Sequence, residues 1–320
     1  MEPLLQIKDL RTYFFTSRGK VRAVDGVDLS LYEREVLAVV GETGCGKSTL
    51  GLSIMRLVPY PGRIVGGEIF FKGRDLLKVD ESELRKIRGK EIAMIFQNPS
   101  KALNPVYKVG YQIAEMPRYH LGAPMRKAWE LAVDLLRKVK IPDPEVKASS
   151  YPHSLSGGMK QRSLIAMMIS LKPSLLIADE PTTALDVTVQ AQIMDLLREI
   201  REEVGMAVML ITHNIGLVAE ESDRVAVMYA GKIVEVGATP DVLEDPLHPY
   251  TKGLLSSLPS RRGRKERVPS IPGNVPDLIN PPSGCRFNPR CPYKLDICDK
   301  EEPELSEVRR GHLVSCFAVG

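Results

Sequence analysis

GETGCGKS, residues 41 to 48, decides the fold. It fits the pattern G-x-x-x-x-G-K-[ST], which carries meaning only where an apolar strand enters it and a helix leaves it. VLAVV (36–40) enters, and the residues to about 54 leave with helical spacing. Glycines let the backbone turn so that successive N–H groups face phosphate at a helix N-terminus, where the helix dipole also favours anions. Gly41, Gly44 and Gly46 give the loop its shape, and Cys45 and Thr49 belong to the same stretch. Lys47 is expected to reach the β- and γ-phosphates of ATP, and the Ser48 hydroxyl to ligate Mg²⁺.

Working outward, EIAMIF (91–96), SLLIAD (174–179) and AVMLIT (207–212) are short apolar segments flanked by helix-like sequence. They predict buried strands of a mostly parallel α/β sheet, a P-loop NTPase core. RVAVMYAGKIVEVG (224–237) alternates about Ala230-Gly231 and predicts a hairpin. From 99 to 154, amphipathic stretches such as MRKAWELAVDLLRKV (125–139) replace the strands and predict a helical insert. The core is then expected in 1–98 and 155–258. After Leu258, RRGRKER (261–267) and a segment dense in Pro and Gly predict a solvated linker and a small loop-rich unit, 259–320. No internal repeat is visible.

The 320 residues are 43% hydrophobic, enough for one large core and a smaller appended unit. The balance of 44 basic against 40 acidic residues leaves +4, too weak a bias to predict nucleic acid or an anionic membrane as partner. No apolar run approaches the ~20 residues that cross a bilayer. MEPLLQIKDL also lacks the charged-then-apolar order of a signal segment, which predicts a cytosolic location.

SLLIADEP (174–181) supplies a second half-site, because its apolar residues bury a strand and Asp179 and Glu180 emerge at the end. Asp179 is expected to hold the Mg²⁺ shell. Glu180 is expected to orient and deprotonate the attacking water, a role worth roughly 10²–10⁴-fold.

LSGGMKQR (155–162) resembles the signature motif of ATP-binding cassette proteins, and its neighbours fall in that family's order: Gln97 closing EIAMIFQ, Asp186 in ALD and His213 in ITHN. The resemblance implies a RecA-like α/β core with an antiparallel β part. It implies that Gln97 contacts Mg²⁺ or water, that Asp186 works across a dimer interface and that His213 holds the γ-phosphate. It also implies that Ser156, Gly157, Gly158 and Gln161 complete the site of a second subunit. One phosphate loop and one signature per chain therefore call for a partner, either a second copy or, as expected here, a homologous ATP-binding subunit. An aromatic near the first strand stacks on adenine in this family. In DLRTYFF the spacing favours Phe14, with Tyr13 beside it.

QNPSKALNP (97–105), PLHPYTK (246–252) and IPGNVPDLINPPSGCRFNPRCP (271–292) resemble ATP-binding subunits of oligopeptide, dipeptide and nickel importers. That likeness implies ATP-driven dimer closure coupled to two transmembrane permease subunits and served by an extracytoplasmic peptide-binding protein. The chain would then sit peripherally on the cytoplasmic face of the membrane. The alternatives are a nickel-importer ATPase subunit and, further off, a cassette ATPase acting in DNA repair or on ribosomes, but proteins of the latter kind usually carry a long coiled-coil insertion or two cassettes, neither of which is visible in the sequence. A non-enzymatic metal module with a vestigial nucleotide site conflicts with intact Lys47, Asp179, Glu180 and His213.

Four cysteines follow the core, Cys285, Cys291, Cys298 and Cys316, spaced C-x5-C-x6-C-x17-C. In a reducing compartment disulfides rarely persist, so the cluster reads as a metal site. Zinc sites usually pair ligands as C-x2-4-C, and the wider gaps suit a [4Fe–4S] cluster better without excluding Zn²⁺. Members of the dipeptide permease branch are similar in carrying a tail iron–sulfur cluster. His312 is expected to be solvated beside a complete set of thiols.

Overall fold

The computed structural model describes residues 2–183, 185–257 and 271–319, so the expected linker RRGRKER lies outside the described residues. The chain opens with β1 (Leu5–Thr16), β2 (Gly19–Leu31) and β3 (Val36–Val40), then passes through the phosphate loop into α1 (Lys47–Ile54). β4 (Gly62–Phe71), β5 (Arg74–Asp75), α2 (Glu81–Ile87) and β6 (Ile92–Ile95) follow. Next come the helices α3 (Pro99–Ala102), α4 (Val109–Leu121), α5 (Met125–Lys138) and α6 (Pro144–Ala148). α7 (Gly157–Ile169), β7 (Leu175–Asp179), α8 (Val187–Val204), β8 (Ala207–Ile211) and α9 (Ile215–Glu221) alternate after them. β9 (Arg224–Tyr229), β10 (Lys232–Ala238), α10 (Thr239–Glu244) and α11 (Pro249–Ser256) complete the core, and the tail adds β11 (Ser306–Arg309) and β12 (His312–Val314).

The chain packs as two compact units, residues 1–77 with 210–320, and residues 78–209. The first holds an antiparallel sheet in the order β2-β1-β4-β5 and a ladder in the order β11-β12-β10-β9-β3. β3 is buried at all five positions, as its unbroken apolar run requires, and pairs in parallel with β9 from Leu37 opposite Arg224 to Val40 opposite Val227. The expected hairpin joins β9 to β10, with Ala230 and Gly231 both in left-handed backbone at φ 46° and 84°.

The second unit contains β6 and β7, parallel from Ile92 opposite Leu175 to Ile95 opposite Ala178, together with the helices between residues 99 and 169. α5 buries Ala128, Ala132, Leu135 and Leu136, spaced at helical intervals, which gives its amphipathic sequence a physical use. β8 straddles the division. In the second unit Ala207 N donates to Ser174 O at 2.9 Å, and in the first Thr212 N donates to Val39 O at 3.2 Å.

The tail is built into the first unit rather than standing alone. β12 pairs with β10, Glu235 opposite Val314. Phe287, 2% exposed, enters the cluster of Tyr229 and Tyr250, with ring centroids 5.2 and 5.6 Å away. Burying one such ring is worth about 1.5–3 kcal/mol, which a short loop-rich segment draws from the core it docks on.

Candidate functional site

The phosphate loop is shaped by two close approaches. A Cβ on Gly41 (φ 152°) would lie 2.1 Å from Met228 O, and one on Gly46 (φ 110°) 2.0 Å from Ala23 O. Only glycine fits either place. Gly46 is also the N-cap of α1 and no side chain caps that helix, so its first N–H groups are suited to an anion. Lys47, 6% exposed, donates from Nζ to Gly41 O at 2.7 Å and Glu42 O at 3.0 Å, lying along the loop that its ammonium is expected to serve. Cys45 is fully buried beneath the loop, and burial pushes its thiol pKa up against the opposing pull of Lys47. Ser48 and Thr49 occupy the first turn of α1.

His213 is exposed in the same unit. It follows Thr212, whose N–H bonds Val39 O of the strand that feeds the loop. Asn214 then caps α9 by accepting from Leu217 N at 3.3 Å, which sets the direction in which the chain leaves His213. Of the two aromatic candidates, Tyr13 is committed elsewhere: it is 8% exposed and its hydroxyl donates to the buried carboxylate of Asp25. Phe14, its neighbour on the opposite face of β1, is half-buried, with its ring at Gly62, where a Cβ would meet Cε1 at 2.7 Å.

In the second unit Asp179 ends β7 at 5% exposure, and Glu180 follows in left-handed backbone at φ 47°. A non-glycine residue in that conformation is strained, and such strain clusters at working sites. Glu180 Oε2 accepts from Gln97 Nε2 and from Thr183 Oγ1, each at 2.8 Å. The unit thus brings together Gln97, singled out by motif order, and Glu180, singled out at the end of its apolar strand, and adds Thr183, which no motif flagged.

Ser156 is exposed at the N-cap of α7, accepting from Met159 N at 3.3 Å, with Gly157 exposed beside it. A Cβ on Gly158 would lie 2.9 Å from Val189 Cγ1, so the second glycine is needed where α7 passes α8. Gln161 corrects the sequence expectation. It is 2% exposed, with Nε2 lacking a hydrogen-bond partner, so it faces inward from the surface that Ser156 and Gly157 present. Asp186 is exposed and caps α8, accepting from Val189 N at 3.0 Å, which accounts locally for its residue type. Within 97–108, the buried Gln112 braces the loop by bonding Asn104 N, Asn104 O and Tyr107 O, each at 2.9 Å. Val106 and Tyr107 stand exposed at its tip.

The tail cysteines lie within electrostatic reach of one another. Burial pushes Cys285 up to about 11, aided by Cys298, Cys316 and Cys291, while the Phe287 N–H donates to it. Burial likewise raises Cys291 and Cys316, which receive the N–H groups of Tyr293 and Ala318. The expected metal site is not found ready-made: among the described residues no three His, Cys, Asp or Glu side chains are gathered as one metal ion requires. His312 corrects a second expectation. It is 1% exposed rather than solvated, and its Nε2 lies 2.8 Å from Oε1 of the fully buried Glu235.

Residues 24–183 match the family model of ABC transporters, and residues 234–298 match that of the oligopeptide/dipeptide transporter C-terminal region. The probable peptide ABC transporter ATP-binding protein y4tR of Sinorhizobium fredii is 49% identical over 316 residues, covering 98% of this chain and 94% of the relative. The dipeptide transport ATP-binding protein DppD of Escherichia coli is 48% identical over 313 residues, covering 98% and 96%. Among solved structures, the dimeric post-hydrolysis state of the ATP-binding cassette MJ0796 bound to ADP and Pi superposes with a TM-score of 0.66 at 26% identity, over 73% of this chain and 98% of that one.

Proposed function

The chain belongs to the ABC transporter family as an ATP-binding subunit, and from that premise we propose that it powers the import of di- or oligopeptides. As such a subunit it is an ATPase, with Mg²⁺ as the companion of the nucleotide. The observation that carries the peptide reading is relatedness along nearly the whole chain, including the tail match over residues 234–298.

In this reading the loop from Gly41 to Thr49 gathers the phosphates, with Lys47 neutralising the β- and γ-phosphates and Ser48 and Asp179 holding Mg²⁺, joined by Gln97. Phe14 offers the ring for adenine, and His213 senses the γ-phosphate. Glu180 takes the proton of the attacking water; Gln97 and Thr183, which already donate to its carboxylate, hold it in place. Ser156, Gly157 and Gly158 serve the nucleotide of a second ATP-binding subunit, of a different sequence in this proposal, and Asp186 lies at that interface. Among the described residues no helix is long and apolar enough to cross a membrane. The chain therefore works as a peripheral subunit, offering the exposed Val106 and Tyr107 loop to two permease subunits that receive peptide from an extracytoplasmic binding protein.

Cys285, Cys291, Cys298 and Cys316 are assigned as ligands of an iron–sulfur cluster. Three of them accept an N–H from the residue two positions on, an arrangement that stabilises thiolate charge, and the four lie within electrostatic reach of one another. When bound, the group would supply ligand bonds that fasten the tail loops.

Capture of the tagged chain from its own membranes, followed by peptide uptake in reconstituted vesicles, tests the function. Recovery of two membrane subunits and peptide-stimulated phosphate release are expected. Release that ignores peptide, from a complex without membrane proteins, overturns it. Anaerobic purification with iron, sulfide and zinc analysis tests the tail: about four irons and four sulfides per chain are expected, and one zinc without sulfide refutes the cluster.

A further inference from the structure

Glu42, the second residue of the phosphate loop, has no role in the motif. Its backbone N–H donates to the Tyr250 hydroxyl at 2.9 Å, and its carbonyl accepts from Lys47 Nζ at 3.0 Å. Both oxygens of its carboxylate are taken by Arg290, Nη1 to Oε2 at 2.8 Å and Nη2 to Oε1 at 3.1 Å. Glu42 is thus held at its amide, carbonyl and carboxylate.

Arg290 is built for this grip. It is 7% exposed, its Nε donates to Pro272 O at 2.9 Å, and Nη1 also meets the Tyr229 hydroxyl at 3.3 Å. Its guanidinium carbon lies 5.7 Å from the Tyr229 ring centroid, and Tyr229 packs on Tyr250 at 4.5 Å. A paired fork of this kind fixes orientation as well as distance, which a lysine cannot reproduce. The segment bearing Arg290 is itself anchored, because Arg286 donates to Ala230 O and to the buried carboxylate of Asp25. The residues from Arg286 to Arg290 are therefore pinned to the first unit at both ends.

A loop with glycines at 41, 44 and 46 has many conformations to lose before it can hold phosphate. We propose that Arg290, acting through Glu42 with Tyr250, is a positioning residue that presets the phosphate loop, so that the cysteine-bearing tail sets nucleotide affinity. The inference rests on the reading of residues 41–49 as the nucleotide site. Presetting a loop strengthens binding by removing an ordering cost that would otherwise fall on the bound state.

The test is the Kd of a fluorescent Mg²⁺-ATP analogue for the full-length chain, with melting temperature and amide hydrogen exchange of residues 41–46 recorded alongside. Arg290→Met and Glu42→Gln are each expected to weaken binding roughly tenfold, in line with loss of a charge-assisted hydrogen bond. The double variant should be no weaker than either single one, because the two residues act as a unit. Arg290→Lys should not restore affinity. Exchange at 41–46 should quicken while that of β6 and β7 stays unchanged. Folded variants with unaltered Kd and exchange, or losses that simply add, overturn the proposal. Should Arg290→Met fail to fold, Glu42→Gln decides alone, since that side chain is 27% exposed and tolerates the change. If the wild-type chain binds no more analogue than Lys47→Ala does, the nucleotide reading itself fails and takes the positioning role with it.

Discussion

The Gln97 side-chain amide donates to Glu180 Oε2 at 2.8 Å, joining residues 83 positions apart in sequence. Thr183 Oγ1 donates to the same oxygen, so donors from two separate segments converge on the carboxylate. Losing one donor should misorient the base without disturbing phosphate binding. Thr183→Ala, which removes a donor with no part in holding Mg²⁺, is expected to lower kcat about tenfold while the ATP Kd stays put. A rise in Kd with kcat intact would show that Thr183 serves binding instead.

Ser156 has two duties that one substitution separates. As N-cap of α7 its loss should cost about 1 kcal/mol of stability, read by urea unfolding. As a group offered to a partner's nucleotide, Ser156→Ala should slow phosphate release by the assembled complex and leave this chain's own ATP affinity unchanged. Equal loss of both would place Ser156 in its own subunit's site.

Stability should depend on His248. Burial pushes its imidazole down to about 3, from an ordinary 6.5, so the folded protein keeps it neutral while the unfolded chain protonates it. The stabilisation is therefore complete above pH 6.5 and is lost progressively as pH falls from there toward 3, by about 1.4 kcal/mol per pH unit. Unfolding free energies of wild type and His248→Asn across that window should converge as pH falls. Parallel curves would show that another group governs the acid limb.

Glu235 is fully buried and is satisfied by His312 at 2.8 Å and by the N–H groups of Leu247 and His248 at 2.7 and 3.0 Å. His312→Leu removes one of three partners from a buried carboxylate and should cost about 2–4 kcal/mol in urea unfolding. The same substitution should loosen β12, seen as faster exchange at Val314. Protection at Val314 equal to that of wild type would separate the pair from the docking of the tail.

The phosphate loop, the strand before it and the hairpin at Ala230-Gly231 were legible because each is a local pattern: a glycine spacing, an unbroken apolar run, an alternation broken by a turn pair. Glu180 is legible at the end of its apolar strand, but Gln97 is legible only as a member of an ordered set of motifs, since nothing local in EIAMIFQ points at a carboxylate 83 residues on. His312 was misread for the same reason. Its partner Glu235 lies 77 residues away, and an isolated histidine carries no mark of such a partner. Gln161 was placed by membership in the signature, whereas burial on a helix depends on what packs there. Nothing local to Arg290 marks its role, because its partner Glu42 lies 248 residues away in sequence.

The most direct test of the account is phosphate release by the membrane complex captured on this chain, carrying either wild-type Glu180 or Glu180→Gln. The account predicts a fall of roughly 10²-fold or more, with Mg²⁺-ATP affinity retained and the complex intact. Turnover at the wild-type rate from the Glu180→Gln complex would contradict it, because the proton of the attacking water would then have another acceptor.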